Sequence, residues 1–396
     1  MWAIEGIMAD KKFWKSFATT YWEKRSVCLT GIKSSIFNID SDCIFKLLVR
    51  YSDHCRKTKT LVGMKFYIEG HLQYLEDVLD LLPKAKDGSL LGYHRRMDEM
   101  FFDYCLVCDE LIQVAPEEWK LLGEFVMGLY DQVGLPSKFA EMGLYLGNYR
   151  TTPFGVHSDG CGVISIPVEG TKKFLVWNSK FVEKNPKLKR THQYKAYRKH
   201  ADRWVANPGD IVYWPASHWH IAESTGAFSA TWSIGFWLDE PLSEIILKAL
   251  KPLLATTLSD CRSIALGDGI REDGLIEALP EVLNISHSEL VRISSDEMHD
   301  VFVKYWLEIV SKNGFRNSPP NLGTKNRLVV QEKIFWTKLS HQRICVAAKG
   351  ILQELPDSPK WVTLIQSINS GKIVDLKYFS QKELNLFQKI YPINKK

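Results

Sequence analysis

The sequence predicts an α+β protein centred on an antiparallel barrel or double-sheet jelly roll, with helices on either side. Three observations predict it. Short stretches rich in β-branched and aromatic residues crowd into positions 143–238, with no helix-length pattern between them. Gly, Pro and Asn punctuate these stretches at strand-length intervals. Before about 140 and after about 240, apolar residues fall at helical spacing instead.

Residues 1–140 read as mixed helix with few clear strands. In "DKKFWKSFATTYWEKRS" Phe13, Phe17 and Tyr21 recur at i, i+4 and i+8, one stripe of a helix. "VCLTGI" resembles a short strand. Residues 71–81 ("HLQYLEDVLDL") and 117–133 ("EEWKLLGEFVMGLYDQV") read as amphipathic helices, the second stopped by Gly134 and Pro136. The strands of the core are "GLYLGNY", "GVISIPVE", "KKFLVW", "DIVYWP" and "FSATWSIGFWL"; Pro167 places an edge or a bulge in the second. "PLSEIILKALKPLLATTL" and "DEMHDVFVKYWLEIV" return to helix. "NGFRNSPPNLGTKN", 313–326, is the clearest linker. It divides a domain over 1–240 and a helical region over 241–314 from a small module over 327–396, where "WVTLIQSINSGKIVDL" reads as a helix stopped at Gly371, then a strand.

At 396 residues the chain suits two or three domains, and 45% hydrophobic with 24% charged residues is ordinary for a globular protein with a full core. No apolar run approaches the roughly 20 residues that span a bilayer, and "MWAIEGIMADKKFWKSF" lacks the layout of a signal peptide. The expected location is the cytoplasm. Eight cysteines scattered over so long a chain argue against a disulfide framework. Cys105 and Cys108 form a lone C-x-x-C with no second pair to complete a zinc site, and read as buried thiols near a helix.

Charge is unevenly spread. Residues 180–203, "KFVEKNPKLKRTHQYKAYRKHADR", hold nine Lys/Arg against two Asp/Glu, although the whole chain carries only +5. Such a segment attracts an acidic partner or is simply a solvated loop.

Two good metal ligands, His157 and Asp159, stand just before a strand in "PFGVHSDGCGVISIPVE". Side chains alternate along a strand, so residues two apart face one cavity. A second histidine follows the strand in "PGDIVYWPASHWH", and in an antiparallel roll strands distant in sequence become neighbours. Two imidazoles and a carboxylate with open positions make the facial triad of non-haem Fe(II) oxygenases; zinc accepts similar ligands but its structural sites are closed by four. His218 and His220 share strand parity, so spacing does not choose between them. In "PVEGTKKFLVW", Lys172 shares parity with Val168 and Phe174. If those two face the interior, Lys172 does too, and a buried ammonium calls for an anion such as the far carboxylate of a dicarboxylate bound to the metal. Lys173 would then be exposed.

Four stretches carry a resemblance to the JmjC-type and ribosomal-oxygenase branch of the Fe(II) and 2-oxoglutarate-dependent dioxygenases, built on the cupin double-stranded β-helix. "FATTYWEKRSVCLTG" is similar to the family's opening helix and strand, with Ser26 where proline is common. "PFGVHSDG" carries H-x-D. "VEGTKKFLVW" resembles the segment whose basic residue binds the distal carboxylate of 2-oxoglutarate. "PGDIVYWPASHWH" resembles the stretch whose last histidine is the third ligand, which selects His220. The likeness covers about 13–31 and 140–240, the jelly-roll core. The later helices and tail resemble in layout the dimerisation helices and winged-helix-like module of ribosomal oxygenases. The chain departs from the family just before H-x-D, where Pro153, Phe154, Gly155 and Val156 replace the usual Thr or Asn. Tyr145, Thr152 and Ser233 are therefore candidates for the remaining 2-oxoglutarate contacts.

The resemblance implies Fe(II) on His157, Asp159 and His220, 2-oxoglutarate on Lys172, and O2 as oxidant. It implies a homodimer that hydroxylates an amino-acid side chain in a peptide or protein, such as a ribosomal protein or a precursor peptide. Hydroxylation of a free amino acid or other small metabolite is the alternative, and a cupin-like regulator whose metal does no oxidation is a second. A membrane partner is not expected. Nor is nucleic acid, since residues 327–396 offer no recognition helix with base-reading side chains.

Overall fold

The computed structural model describes residues 11–31, 40–61, 63–109, 111, 115–224, 227–257, 275, 279–318, 333–372, 376 and 378–390. The chain divides into two units, Met1–Asp239 with Asn313–Leu322, and Glu240–Lys312 with Gly323–Lys396.

The first unit opens with α1 (Lys11–Thr20), β1 (Val27–Leu29) and α2 (Ser41–Thr58), the last capped by the Asp40 side chain on Cys43 N. Then come β2 (Met64–Ile68), β3 (His71–Leu72), the single turn α3 (Leu75–Val78), α4 (Leu90–Asp98), β4 (Tyr104–Cys108) and α5 (Pro116–Val133). The core strands follow: β5 (Phe139–Gly147), β6 (Gly162–Glu169), β7 (Lys172–Trp177), then α6 (Ser179–Lys184), β8 (Asp202–Ala206), β9 (Ile211–Trp214), β10 (Trp219–Glu223) and β11 (Ser229–Trp237). All pairings between these strands are antiparallel. One sheet runs β1-β9-β6-β11-β5-β4-β2-β3, the other β10-β7-β8.

Alternation explains the layers. On β11, Ala230, Trp232, Ile234 and Phe236 join the core formed with α1, α2, α4 and α5. Their odd-numbered neighbours face the other sheet. Between the sheets lie Val163 from β6, Phe174 and Val176 from β7, Ala206 from β8, Val212 and Trp214 from β9, and Ala222 from β10. Two antiparallel sheets packed around one interior are the double-stranded β-helix the sequence predicts. The helical layer sits close to its neighbours: a Cβ at Gly128 of α5 would lie 2.2 Å from the indole nitrogen of Trp14 in α1. Ser26 sits where the chain enters β1. Its hydroxyl donates to Asp202 at 2.5 Å and accepts from the Trp204 indole at 3.1 Å, tying that entry to β8.

The structure corrects four expectations. Residues 71–81 are not one helix: they begin as β3 and make only one helical turn, because His71 and Leu72 pair back on Tyr67 and Ile68. The region before 140 contributes four strands, all in the main sheet: β1 at one edge and β4, β2 and β3 at the other. The C-x-x-C lies on the wholly buried strand β4; a short continuous apolar run does not reveal its period. The parity argument for Lys172 rested on two residues that part company. Val168 packs against the helical core and Phe174 faces the other sheet interior, because the chain reverses at Gly170 (φ +65°) and changes sheet. Pro167 marks a bulge, where β11 shifts register between Ala230 and Thr231.

The second unit holds α7 (Leu242–Thr257), α8 (Glu281–Arg292), α9 (Ser295–Ser311), the antiparallel sheet β12 (Phe335–Leu339), β13 (Arg343–Ala348), β14 (Ile351–Pro356), and then α10 (Pro359–Asn369) and α11 (Gln381–Phe387). Ser294 and Glu297 close a capping box at the start of α9. On β13, Ile344 and Val346 pack with Trp361, Leu364 and Phe387, while Cys345 and Ala347 pack with Leu307 of α9. Most of the expected 313–326 linker and the strand expected after Gly371 lie outside the described residues. Among the described residues no helix is long and apolar enough to cross a membrane, and Cys28, Cys43, Cys55, Cys105, Cys161 and Cys345 are free thiols.

Candidate metal centre

His157 sits on an extended segment that pairs with β10. Its backbone N–H donates to the His220 carbonyl at 3.0 Å, and the His220 N–H donates back to the His157 carbonyl at 2.8 Å. Directly opposed residues of such a pair face the same way. The two rings therefore meet, with centroids 4.3 Å apart. Asp159 follows two residues on. Its carboxylate oxygens lie 3.3 Å from His157 Nε2 and 3.4 Å from His220 Nε2. The three ligand atoms all fall within 4.8 Å of one another, which suits a single metal ion. His218 lies outside this group, its Nδ1 3.3 Å from the Ser217 hydroxyl.

The electrostatics agree with the donor set. Nδ1–H of His157 points at the Gly155 carbonyl, 2.9 Å away, so the lone pair belongs to Nε2. Burial, joined by repulsion from His157, pushes the His220 imidazolium down to about 3, so that ring is a neutral ligand. Burial alone would lower His157, but the hydrogen bond and charge of Asp159 outweigh it and raise its affinity for a proton. Burial would raise Asp159, yet His157 and His220 hold its carboxyl at about 2.

Lys172 begins β7 with only 2% exposure. Its Nζ lies 4.3 Å above the Tyr149 ring and finds no hydrogen-bond partner among the described residues. Burial pushes its ammonium down to about 8. His220 opposes Val176 on β7. Lys172 stands four residues further along that strand, about 13 Å away at strand rise. Lys173, opposite Val205, is half-buried.

The other sequence candidates divide. Thr152 is buried, and its hydroxyl is without a partner. It follows Thr151, which bridges to outward-facing Glu223, so Thr152 faces inward. Tyr145 packs beside Cys105, Val107 and Tyr149, and burial, with Asp159 nearby, holds its phenol far above its ordinary value. Ser233 shares the inner face of β11, but its hydroxyl already meets that of Ser165 at 2.9 Å. Two residues escaped the sequence reading. Thr231, opposite Tyr145, is buried with an unpartnered hydroxyl; the polar alternation Ser229, Thr231, Ser233 carried that signal. Tyr149, wholly buried with an unpartnered hydroxyl, had none, since it follows the strand end at Gly147.

Fold and site together define a double-stranded β-helix protein with a two-histidine, one-carboxylate centre. Residues 129–241 match the JmjC domain. No curated protein matches the sequence. Among solved structures, the chain is similar to YcfD of Escherichia coli, a ribosomal oxygenase. The complex with cobalt and 2-oxoglutarate is 13% identical, with 94% of this chain and 93% of that chain covered and a TM-score of 0.47. The complex with cobalt and succinic acid is 15% identical, covering 90% and 89%, at 0.46. A vicilin from Solanum melongena is 16% identical over 25% of this chain and 24% of its own, at 0.18.

Proposed function

We propose that this protein is an Fe(II) and 2-oxoglutarate-dependent oxygenase that hydroxylates an amino-acid side chain in a peptide or protein. The observation that carries the reading is the convergence of His157, Asp159 and His220 within 4.8 Å on one interior face that also holds an unpartnered buried Lys172. His157, Asp159 and His220 would hold Fe(II), leaving positions open. Lys172 fits the distal carboxylate of 2-oxoglutarate, because a buried ammonium without an anion is costly and that carboxylate is one. The unpartnered hydroxyls of Tyr149, Thr152 and Thr231 are candidates for its remaining oxygens. When bound, the iron and keto acid would supply oxidation of a C–H bond by O2, with 2-oxoglutarate leaving as succinate and CO2.

The chain's own residues position and exclude. Gly155 fixes the His157 tautomer. Phe174, Val176, Trp214 and Ala222 wall the interior with apolar surface that keeps water from the reacting centre. Free thiols at Cys28, Cys43, Cys55, Cys105, Cys161 and Cys345 agree with a reducing, cytoplasmic setting. A homodimer agrees with the exposed Leu242 and Leu247 on α7 and Val291 on α8. A ribosomal protein is the substrate that the similarity to YcfD suggests, and a precursor peptide is the other polypeptide of suitable size.

The test is anaerobic addition of Fe(II) and 2-oxoglutarate to the full chain. The expected result is the weak visible charge-transfer band of a chelated keto acid, followed by succinate when O2 is admitted. Metal binding without a band or succinate would make the protein a non-oxidative cupin.

A further inference from the structure

We propose that residues 178–203 form a rigid cationic platform that docks an acidic stretch of the polypeptide substrate beside the metal-bearing strand. The inference rests on the polypeptide-hydroxylase reading above and adds to it the chemistry of the substrate.

The segment is built rather than merely solvated. Val182, Leu188 and Tyr194 are buried with Val156, Leu175, Trp177 and Ile221 on the outer face of the smaller sheet. The Tyr194 hydroxyl donates to Glu223 at 2.6 Å, Arg198 donates to the same carboxylate at 2.7 Å, and the Trp177 indole donates to the Tyr197 carbonyl at 3.1 Å. Asn178 caps α6. Among the charged side chains, Arg198, Arg203, which donates to the Arg198 carbonyl at 3.0 Å, and Asp202, which accepts from Ser26, take part in this anchoring. Lys180, Lys184, Lys187, Lys189, Arg190, Lys195, Lys199 and Arg203 are exposed, and none of them pairs with an acid among the described residues. A loop needing only solubility would mix signs and pair them; here apolar residues point inward and unpaired cations outward.

The position links this surface to the site. Arg190 N–H donates to the Val156 carbonyl at 2.8 Å, and Val156 N–H donates to the Thr191 carbonyl at 2.9 Å. Residues 190–191 thus extend the sheet past the 151–157 segment, one residue from His157. Lys189 lies over the Trp219 ring, next to His220. A chain held on these cations passes the edge of the strand that carries the ligands.

The chemistry favours carboxylates over nucleic acid. Single-stranded nucleic acid is held by phosphate contacts plus free aromatic faces for the bases. The rings of this segment are engaged: Tyr194 is buried, and Phe181 packs on Tyr197 and His200. What is left is mostly lysine, a point charge that suits flexible Asp and Glu side chains.

The test uses the full chain with fluorescein-labelled decapeptides of Glu, Gln or Lys, and an oligouridylate of equal charge, read by anisotropy at low and high salt. The Glu peptide is expected to bind about tenfold or more tightly than the Gln peptide, and salt should weaken it. The variant K187E/K189E/R190E/K195E should abolish that preference, with its melting curve and Co(II) spectrum unchanged; if it misfolds, the four glutamine substitutions replace it. K11E/K15E/K57E/K86E, which makes the same change in net charge elsewhere, should leave binding within about threefold. Equal binding of Glu and Gln peptides, equal loss in the control variant, or tighter binding of the oligouridylate would each overturn the proposal. None of these readouts needs oxidation, so an intact keto-acid band beside failed peptide binding sinks only the docking surface, and a missing band sinks the oxygenase.

Discussion

His157 and His220, 63 residues apart in sequence, are bonded to each other twice through their backbones, at 3.0 and 2.8 Å, and their rings stand 4.3 Å apart. The metal centre is therefore written into a strand register. A slip of one residue would turn one imidazole to the outer face. The bridge is isolated, yet its surroundings fix it, since β10 pairs along its whole length with β7 on the other side.

The register makes a sharp distinction between neighbouring histidines. His220→Ala should weaken Co(II) binding by at least about 100-fold, because a ligand is lost outright, whereas removing an outer contact costs 10–100-fold. His218→Ala should change it by less than about threefold. Titration of the cobalt absorption bands measures both, and equal losses would move the third ligand off His220.

Metal affinity should also depend on pH with a definite sign. Without metal, His157 binds its proton more tightly than a free imidazole because Asp159 faces it, and that proton must leave before Nε2 can coordinate. Affinity should therefore fall as pH drops through the raised value, by up to about tenfold per pH unit for the single proton. His220 adds no second proton, being neutral down to about 3. Cobalt titrations between pH 5.5 and 8 would show a slope of one; a slope of two would mean both rings are charged.

Lys172 offers a trade between stability and function. Burial lowers its ammonium from 10.5 to about 8, so below that pH the folded protein carries an unpartnered charge. The unfolded chain binds this proton more tightly, so stability should rise with pH between about 8 and 10.5. Lys172→Met should stabilise the ligand-free protein at pH 7 by about 1–3 kcal/mol. It should also abolish the rise in melting temperature that 2-oxoglutarate gives the wild type. A destabilised Lys172→Met would show that the ammonium has an acid partner after all.

β6 and β7 begin and end where alternation and Gly/Pro punctuation put them. The helices over 117–133 and 242–257 follow from 3.6-residue spacing. β8 and β10 were invisible because each is five residues long, and "DRWVA" and "WHIAE" show no clean period over so few positions. The ligand set was legible because H-x-D and a distant histidine are compact signals. The cavity around Lys172 was less so: Tyr149 becomes notable only when burial strips its hydroxyl of partners, and burial is a tertiary property. Parity found Lys172, but for half the reason, since the turn at Gly170 separates Val168 from Phe174.

Tyr149 gives a fourth expectation. Its hydroxyl is buried and unpartnered, so Tyr149→Phe should cost less than about 1 kcal/mol in the ligand-free protein, there being no hydrogen bond to lose. The ring over Lys172 survives the change. If the hydroxyl serves 2-oxoglutarate, the KM for that co-substrate should rise about fivefold or more while kcat holds, the pattern of a lost ground-state contact. An unchanged KM would assign Tyr149 to the lysine alone.

Glu223 decides whether the basic segment is held or loose. It is 8% exposed and accepts from both Tyr194 and Arg198, and its backbone bridges Thr151. Glu223→Ala would leave a buried tyrosine hydroxyl and a half-buried guanidinium unpaired, a loss of about 1–3 kcal/mol. That loss should fall on the segment itself, because the β7–β10 pairing is made by backbone. Proteases cut locally opened backbone at a rate set by the open population, which rises about tenfold for each 1.4 kcal/mol of opening free energy lost. Trypsin should then cut the variant at Lys184, Lys195 or Lys199 about tenfold faster than wild type, with cobalt binding retained. Unchanged cleavage would mean that Val182, Leu188 and Tyr194 hold the segment by apolar packing alone. Global acceleration at sites across both units would instead place Glu223 in the stability of the whole sheet.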